Sequence, residues 1–328
     1  MVAFIEFVLS SGAVPSDRRA PFGRRALKSD ISPRELPDCL SLAIVGNSCL
    51  VRYDFSHRGN ALLPILQPRN RSTWKARVAR ARQLAEENSR ASEVLTFYLR
   101  ILEFQQSIYA RYPKEPFIPP RGTLRECIDM EQAGNDLAAL IALVRKHGPP
   151  RLADHAAQLS HEAARTIAGA WVNPNSHIEA HTAFFSRVVL EPQAEHLAET
   201  GTWPAESLAG NLCPNCRALP QLAVLRPEGD GGKRMLLCSL CHSEWEFRRV
   251  LCPSCGEENH EKLPRYTAES VKAVRVEACD SCGKYLKSAD LTIHGLAVPE
   301  VDEVATASLD LWAIERGYRK IQANVMGF

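Results

Sequence analysis

Residues 213–282 hold four C-x-x-C pairs: C-P-N-C at Cys213/Cys216, C-S-L-C at Cys238/Cys241, C-P-S-C at Cys252/Cys255 and C-D-S-C at Cys279/Cys282. The pairs are separated by 21, 10 and 23 residues, so the stretch reads as one pattern used twice in tandem. A C-x-x-C turn aims two sulfurs at one point, and a second turn brought alongside completes a tetrahedron of thiolates. Chain neighbours usually pack together, which predicts Cys213, Cys216, Cys238 and Cys241 in one site and Cys252, Cys255, Cys279 and Cys282 in another. Other pairings are possible but less economical, because these two keep each loop near the length of a small zinc ribbon.

A glycine after the second cysteine suits such a knuckle, since it adopts positive φ while the neighbouring amides turn toward the sulfurs. Gly256 and Gly283 fit this pattern, whereas the first module has Arg217 and His242 at the matching places. Disulfides would be favoured only in an oxidising compartment. A catalytic dithiol would need a strand before it, a helix after it, and one active pair rather than four. Four thiolates in a tetrahedron suit zinc and a single rubredoxin-type iron about equally, so the spacing leaves both open.

Charge bears on the usual partner of paired zinc ribbons. Between Trp203 and Gly295 there are 12 Lys plus Arg and 12 Asp plus Glu. Two divalent ions on eight thiolates add about minus four by simple counting. A surface that tracks phosphates is basic, so this region is a poor nucleic-acid binder.

The run from Asn211 through C-P-N-C, L-L-C-S-L-C-H-S-E-W-E-F-R-R-V-L-C-P-S-C-G and E-A-C-D-S-C-G-K-Y-L-K resembles the FdhE-type formate dehydrogenase accessory proteins, and D-L-W-A-I-E-R-G-Y-R-K near the C-terminus continues the likeness. About 110 residues are covered well, and the segment before them is similar only in general pattern. The resemblance implies a cytoplasmic, non-catalytic helper that binds the catalytic subunit of a respiratory formate dehydrogenase and is needed for its activity. It also implies rubredoxin-like modules associated with iron, one ion per four-cysteine site, with zinc as the alternative. All eight cysteines have counterparts in that pattern.

Composition is that of a globular chain, with 45% hydrophobic and 24% charged residues and a net charge of +2 over 328 residues. Such a balance argues for neither a polyanion nor a membrane surface as main partner. The apolar start, Met1–Ser16, is interrupted by Glu6 and lacks a preceding basic residue, so it does not read as a signal peptide. Neither Arg18/Arg19 nor Arg24/Arg25 leads into an apolar segment, and the run Cys39–Val51 is too short to span a bilayer. Residues 1–69, rich in Pro, Arg and Ser, read as a poorly ordered extension or an early start codon. Cys39, Cys49 and Cys127 lack any spacing that pairs them with the clusters.

Residues 70–202 predict an α-helical domain. Ser72 is a candidate cap for a helix whose Trp74, Val78, Ala81 and Ala85 share a face, and Val94, Tyr98, Ile101, Leu102 and Ile108 keep helical spacing between Arg90 and Tyr112. Three more helices are expected at 123–147, 151–170 and 178–200, broken by His147–Pro150 and Asn173–Asn175. His177 and His181 have i, i+4 spacing that suits a metal, but no third ligand follows, and a surface or capping role is the simpler reading.

The texture then turns to short β-rich runs at 221–226, 234–237, 244–250 and 271–277, with a hairpin turn at Gly229–Gly232. Module one is placed at 203–249 and module two at 250–295, with a further strand over Asp290–Val298. A C-terminal helix and tail occupy 296–328, the helix over Pro299–Gly317 with Val304, Leu311 and Trp312 on one side. The fold class expected is therefore α+β multidomain: an N-terminal α-helical domain, two tandem small β-rich rubredoxin-like or zinc-ribbon-like modules, and a C-terminal helix. No nucleophile–base pair, phosphate-cradling loop or paired carboxylates stand out, which reads as a non-enzyme. Two alternatives remain open: a rubredoxin-type electron carrier, and a zinc-ribbon scaffold with a transcription or RNA partner.

Overall fold

The computed structural model describes residues 72–88, 91–119, 123–159, 178–203 and 210–328, all within one compact unit. The N-terminal extension, Cys39, Cys49 and His177 lie outside the described residues. Helix α1 (Trp74–Glu87) is capped by Thr73, whose hydroxyl accepts from the Ala76 amide at 3.2 Å. The expected cap, Ser72, instead donates to the Glu300 carboxylate at 2.9 Å, so tertiary pairing has claimed it. Helices α2 (Ser92–Tyr109), α3 (Met130–His147, capped by Asp129) and α4 (Pro150–Gln158) follow, with a 3₁₀ turn at Leu124–Cys127. All five residues marked by periodicity in α2 are buried.

Helix α5 (Ala180–Thr200) departs from the amphipathic pattern: every residue from Phe184 to Ala198 is buried. A helix covered all round lies inside the fold, and its polar residues then need partners. Arg187 finds Glu191 at 2.7 Å, and Glu195 finds Arg77 of α1 at 2.8 Å.

The cysteine region forms one seven-stranded sheet. Strands β1 (Pro220–Glu228) and β2 (Gly231–Cys238) make a hairpin around Gly229, whose φ of 54° suits the first position of a two-residue loop. Strand β3 (Glu244–Glu246) is shorter than expected and buries Trp245, while Phe247 just beyond it is buried too. Strands β4 (Arg265–Thr267), β5 (Val274–Cys279) and β6 (Lys284–Asp290) give the order β3-β2-β1-β6-β5-β4. Strand β7 (Arg319–Lys320) pairs with the start of β6. The β1–β6 contact is parallel, with Leu222 opposite Lys287 and Val224 opposite Ala289, and it joins the two cysteine modules into one sheet.

Two expectations fail at the C-terminal side. The strand expected over Asp290–Val298 ends at Asp290, whose carboxylate accepts the Thr292 amide at 3.0 Å and closes a local turn. The single helix over Pro299–Gly317 is two, α6 (Pro299–Ala305) and α7 (Ala307–Glu315). Between them the Thr306 hydroxyl bonds back to the carbonyls of Asp302 and Glu303, at 2.9 and 3.0 Å, and the helical phase is lost. Val304 therefore enters the main core, whereas α7 turns Leu309, Asp310 and Ala313 inward. Among the described residues no helix is long and apolar enough to cross a membrane.

Candidate metal centres

The four knuckles share one local fold. In the second module the Gly256 amide donates to Cys252 O at 3.0 Å and the Gly283 amide to Cys279 O at 2.8 Å, with φ of 78° and 65° at the two glycines. Arg217 and His242 adopt the same left-handed backbone, with φ of 62° and 50°. The first module thus keeps the knuckle without glycine, at a local cost of about 1–2 kcal/mol per residue. Packing supplies the offset at His242, which is buried with Nδ1 3.2 Å from Glu195.

The knuckles bring the eight sulfurs together in the two expected groups, and within each group all four ligand atoms lie within 4.8 Å of one another. None is in a disulfide. In the second group Cys252 and Cys282 sulfurs are 3.8 Å apart and Cys255 and Cys279 sulfurs 3.7 Å. A tetrahedron with metal–sulfur bonds of about 2.3 Å has edges of about 3.8 Å, so the donor set fits a single ion. The first group is slightly tighter, with 3.5 Å for Cys213–Cys241 and 3.3 Å for Cys216–Cys238. Amides of Leu240 and Ser254 point at the Cys238 and Cys252 sulfurs, at 3.3 and 3.4 Å. Such bonds stabilise negative charge on sulfur.

The two groups differ in their surroundings. All four cysteines of the first are fully buried, and their sulfurs belong to the same hydrophobic cluster as the helices. Burial drives the Cys216 and Cys238 thiols well above their usual range. Arg125 donates to Cys216 O at 2.7 Å, and Arg187 from the central helix donates to Ser239 O at 2.7 Å. In the second group Cys252 and Cys279 are buried, Cys282 is half-buried and Cys255 is exposed. Burial raises the Cys252 and Cys279 thiols; for Cys255 burial acts upward too, but the Glu257 amide and the neighbouring sulfurs outweigh it and the net shift is downward. A divalent ion relieves both situations by replacing thiol protons with a charge that thiolates can ligate.

A polar bond bridges the paired knuckles in each module. Asn215, between Cys213 and Cys216, donates to the hydroxyl of Ser243, two residues past Cys241, at 2.8 Å. Ser281, between Cys279 and Cys282, donates to the carboxylate of Glu257, two residues past Cys255, at 2.5 Å. These bridging residues, like Arg77, Arg125, Arg187 and Glu195, carry no motif and were not legible in the sequence. His181 meets Glu179 at 2.9 Å and lies against the His155 ring, and neither histidine joins a group of metal-binding geometry among the described residues.

Residues 212–249 match the family described as FdhE, central domain, and residues 250–326 match FdhE, C-terminal domain. Over residues 212–326 the chain is similar to the FdhE family. A Protein FdhE homolog of Aquifex aeolicus is 26% identical over 261 residues, covering 75% of this chain and 92% of that protein. A Protein FdhE homolog of Haemophilus influenzae (strain PittEE) is 27% identical, covering 87% of this chain and 97% of the relative. The crystal structure of the FdhE protein from Pseudomonas aeruginosa shares the fold, with a TM-score of 0.58 at 23% identity over 77% of this chain and 95% of that one. The similarity to these homologs covers more of the chain than the cysteine region alone.

Proposed function

We propose that this FdhE-like chain is a non-catalytic accessory protein of the cytoplasm that binds the catalytic subunit of a respiratory formate dehydrogenase and is needed for that enzyme's maturation. Its eight cysteines, Cys213, Cys216, Cys238, Cys241, Cys252, Cys255, Cys279 and Cys282, hold two metal ions in rubredoxin-like sites, iron in preference to zinc. The observation that carries the reading is the convergence of two four-sulfur groups within the FdhE central and C-terminal domains. Bound there, the ions would staple knuckles whose apolar cores are small, and iron would add a one-electron couple. The protein's own residues set the sulfur positions and aim amides at them.

Two measurements test the proposal. Protein purified without added metal, chelator or air should carry about two ions per chain, with thiolate-to-iron charge-transfer bands if iron is the native ion. A tagged chain expressed in its own host should retain the formate dehydrogenase catalytic subunit, and its deletion should abolish formate oxidation. Two zincs per chain would reduce the sites to staples and leave client binding as the whole activity. Retention of no such subunit, with formate oxidation intact in the deletion strain, would overturn the accessory role.

A further inference from the structure

The burial difference between the two sulfur groups is carried by Cys255 and Cys282. Cys213, Cys216, Cys238 and Cys241 have no exposed surface, and side chains from two helical elements hold their knuckles: Arg125 of the 3₁₀ turn on Cys216 O, and Arg187 and Glu195 of α5 on Ser239 O and His242. An incoming ligand reaches an ion there only after the helices part. The second group presents Cys255, exposed, and Cys282, half-buried. On that side the paired knuckles are tied by the Ser281–Glu257 bond, which lies at the surface, whereas the corresponding Asn215–Ser243 bond is part-buried. The Glu257 carboxylate also accepts its own loop's Asn259 amide at 2.9 Å, so the group that reaches Ser281 is fixed to the first knuckle's loop.

We infer that the two sites have different roles: the cluster around Cys255 and Cys282 is the exchange site, where an ion enters and leaves or meets a thiol-reactive or chelating partner, while the first cluster keeps its ion for the life of the fold. The Glu257–Ser281 bond is the latch on that exchange site. Opening the latch lets the knuckle bearing Cys255 swing from the knuckle bearing Cys282. Substitution of sulfur by an incoming donor then proceeds stepwise, each metal–sulfur bond broken as a new metal–ligand bond forms, with no change of oxidation state. The inference rests on the reading that both clusters hold metal.

The test uses the full-length chain loaded with zinc(II) and mixed with excess 4-(2-pyridylazo)resorcinol, with released zinc followed by absorbance. Release in two phases of equal amplitude is expected, the slow one at least a hundredfold slower. Iodoacetamide labelling during the fast phase, read by peptide mass, should mark Cys255 and Cys282 and spare the first four cysteines. Glu257→Ala and Ser281→Ala each remove a hydrogen bond to a charged group and should speed the fast phase about tenfold, with the slow phase unchanged. Melting curves of the loaded variants, expected to match wild type within a few degrees, separate latch loss from unfolding. A single phase, labelling of Cys213 or Cys241 first, or latch variants that release at the wild-type rate while folded would each overturn the inference. Failure of the chain to hold two zinc ions would instead overturn the metal reading, and this inference with it.

Discussion

Glu195→Gln probes how the helices hold the first knuckle pair. Glu195 is buried on the central helix and receives a bidentate pair from Arg77, at 2.8 and 2.9 Å, with His242 Nδ1 at 3.2 Å. Arg77 is fully buried as well, and its other carboxylate partner is Glu300 at 3.1 Å. Burial alone would raise the Glu195 carboxyl, but Arg77 and His242 outweigh it and hold it at about 2 against an ordinary 4.5. A displacement of that size corresponds to about 3 kcal/mol of folding free energy at neutral pH. Removing one partner of a buried pair costs about 3–5 kcal/mol by analogy with measured cases, which agrees. For a chain of this length about 3 kcal/mol lowers the melting temperature by about 4–6 °C. Because the folded value lies below the unfolded one, the contribution is complete above about pH 4.5 and is lost as pH falls toward 2. Thermal melts at matched metal content, from pH 7 to pH 3, should therefore show wild type and variant far apart at neutrality and converging in acid. A variant within about 1 kcal/mol of wild type at pH 7, or a gap that does not close in acid, would refute the reasoning.

Cys252→Ser should lower metal content from two ions to one and loosen the second module while the far-ultraviolet signal of the helices persists; unchanged metal content would sink the ligand grouping. Gly283→Ala should cost about 1 kcal/mol, because the added Cβ meets nothing within 4 Å and only the φ of 65° opposes it; denaturant titration of the loaded protein reads the change. Lys287→Met should cost about 3–5 kcal/mol, since it leaves Glu303 and Asp310, 3.1 and 2.5 Å from the Lys287 ammonium, with Lys320 as their remaining cation; a melting temperature within 2 °C of wild type would exclude this.

The local layer of this fold was written in the sequence. C-x-x-C spacing placed the eight cysteines in their two groups, and 3.6-residue periodicity marked the buried face of α2, because both signals act over a few residues. What escaped was long-range. Nothing near Leu222 announces a parallel partner at Lys287, so the two modules expected in tandem turn out to share one sheet. The central helix was expected, but not its burial on all sides, since a helix containing Arg187, Glu191 and Glu195 looks half-solvated until Gln221 and Arg77 are found opposite. Asp290–Val298 looked like a strand from its apolar residues, and the Asp290 side chain, a turn former, decided otherwise.

Arg217 and His242 show how such long-range contacts reverse a local judgement. As departures from glycine they mark the first module as the weaker knuckle, and the backbone indeed carries positive φ at both. Yet His242 is the residue through which the knuckle meets Glu195 and, beyond it, Arg77 and Glu300. A glycine there would relax the turn and remove that connection. The helical elements, the first sulfur group and α6 are thereby joined by one chain of buried charges, which no local rule favours. The second module keeps glycine at both knuckles and brings Cys255 and Cys282 to the surface. Local strain and deep burial thus go together at the first site, and relaxed turns and access at the second, which is the division expected of one ion that must stay and one that can be reached.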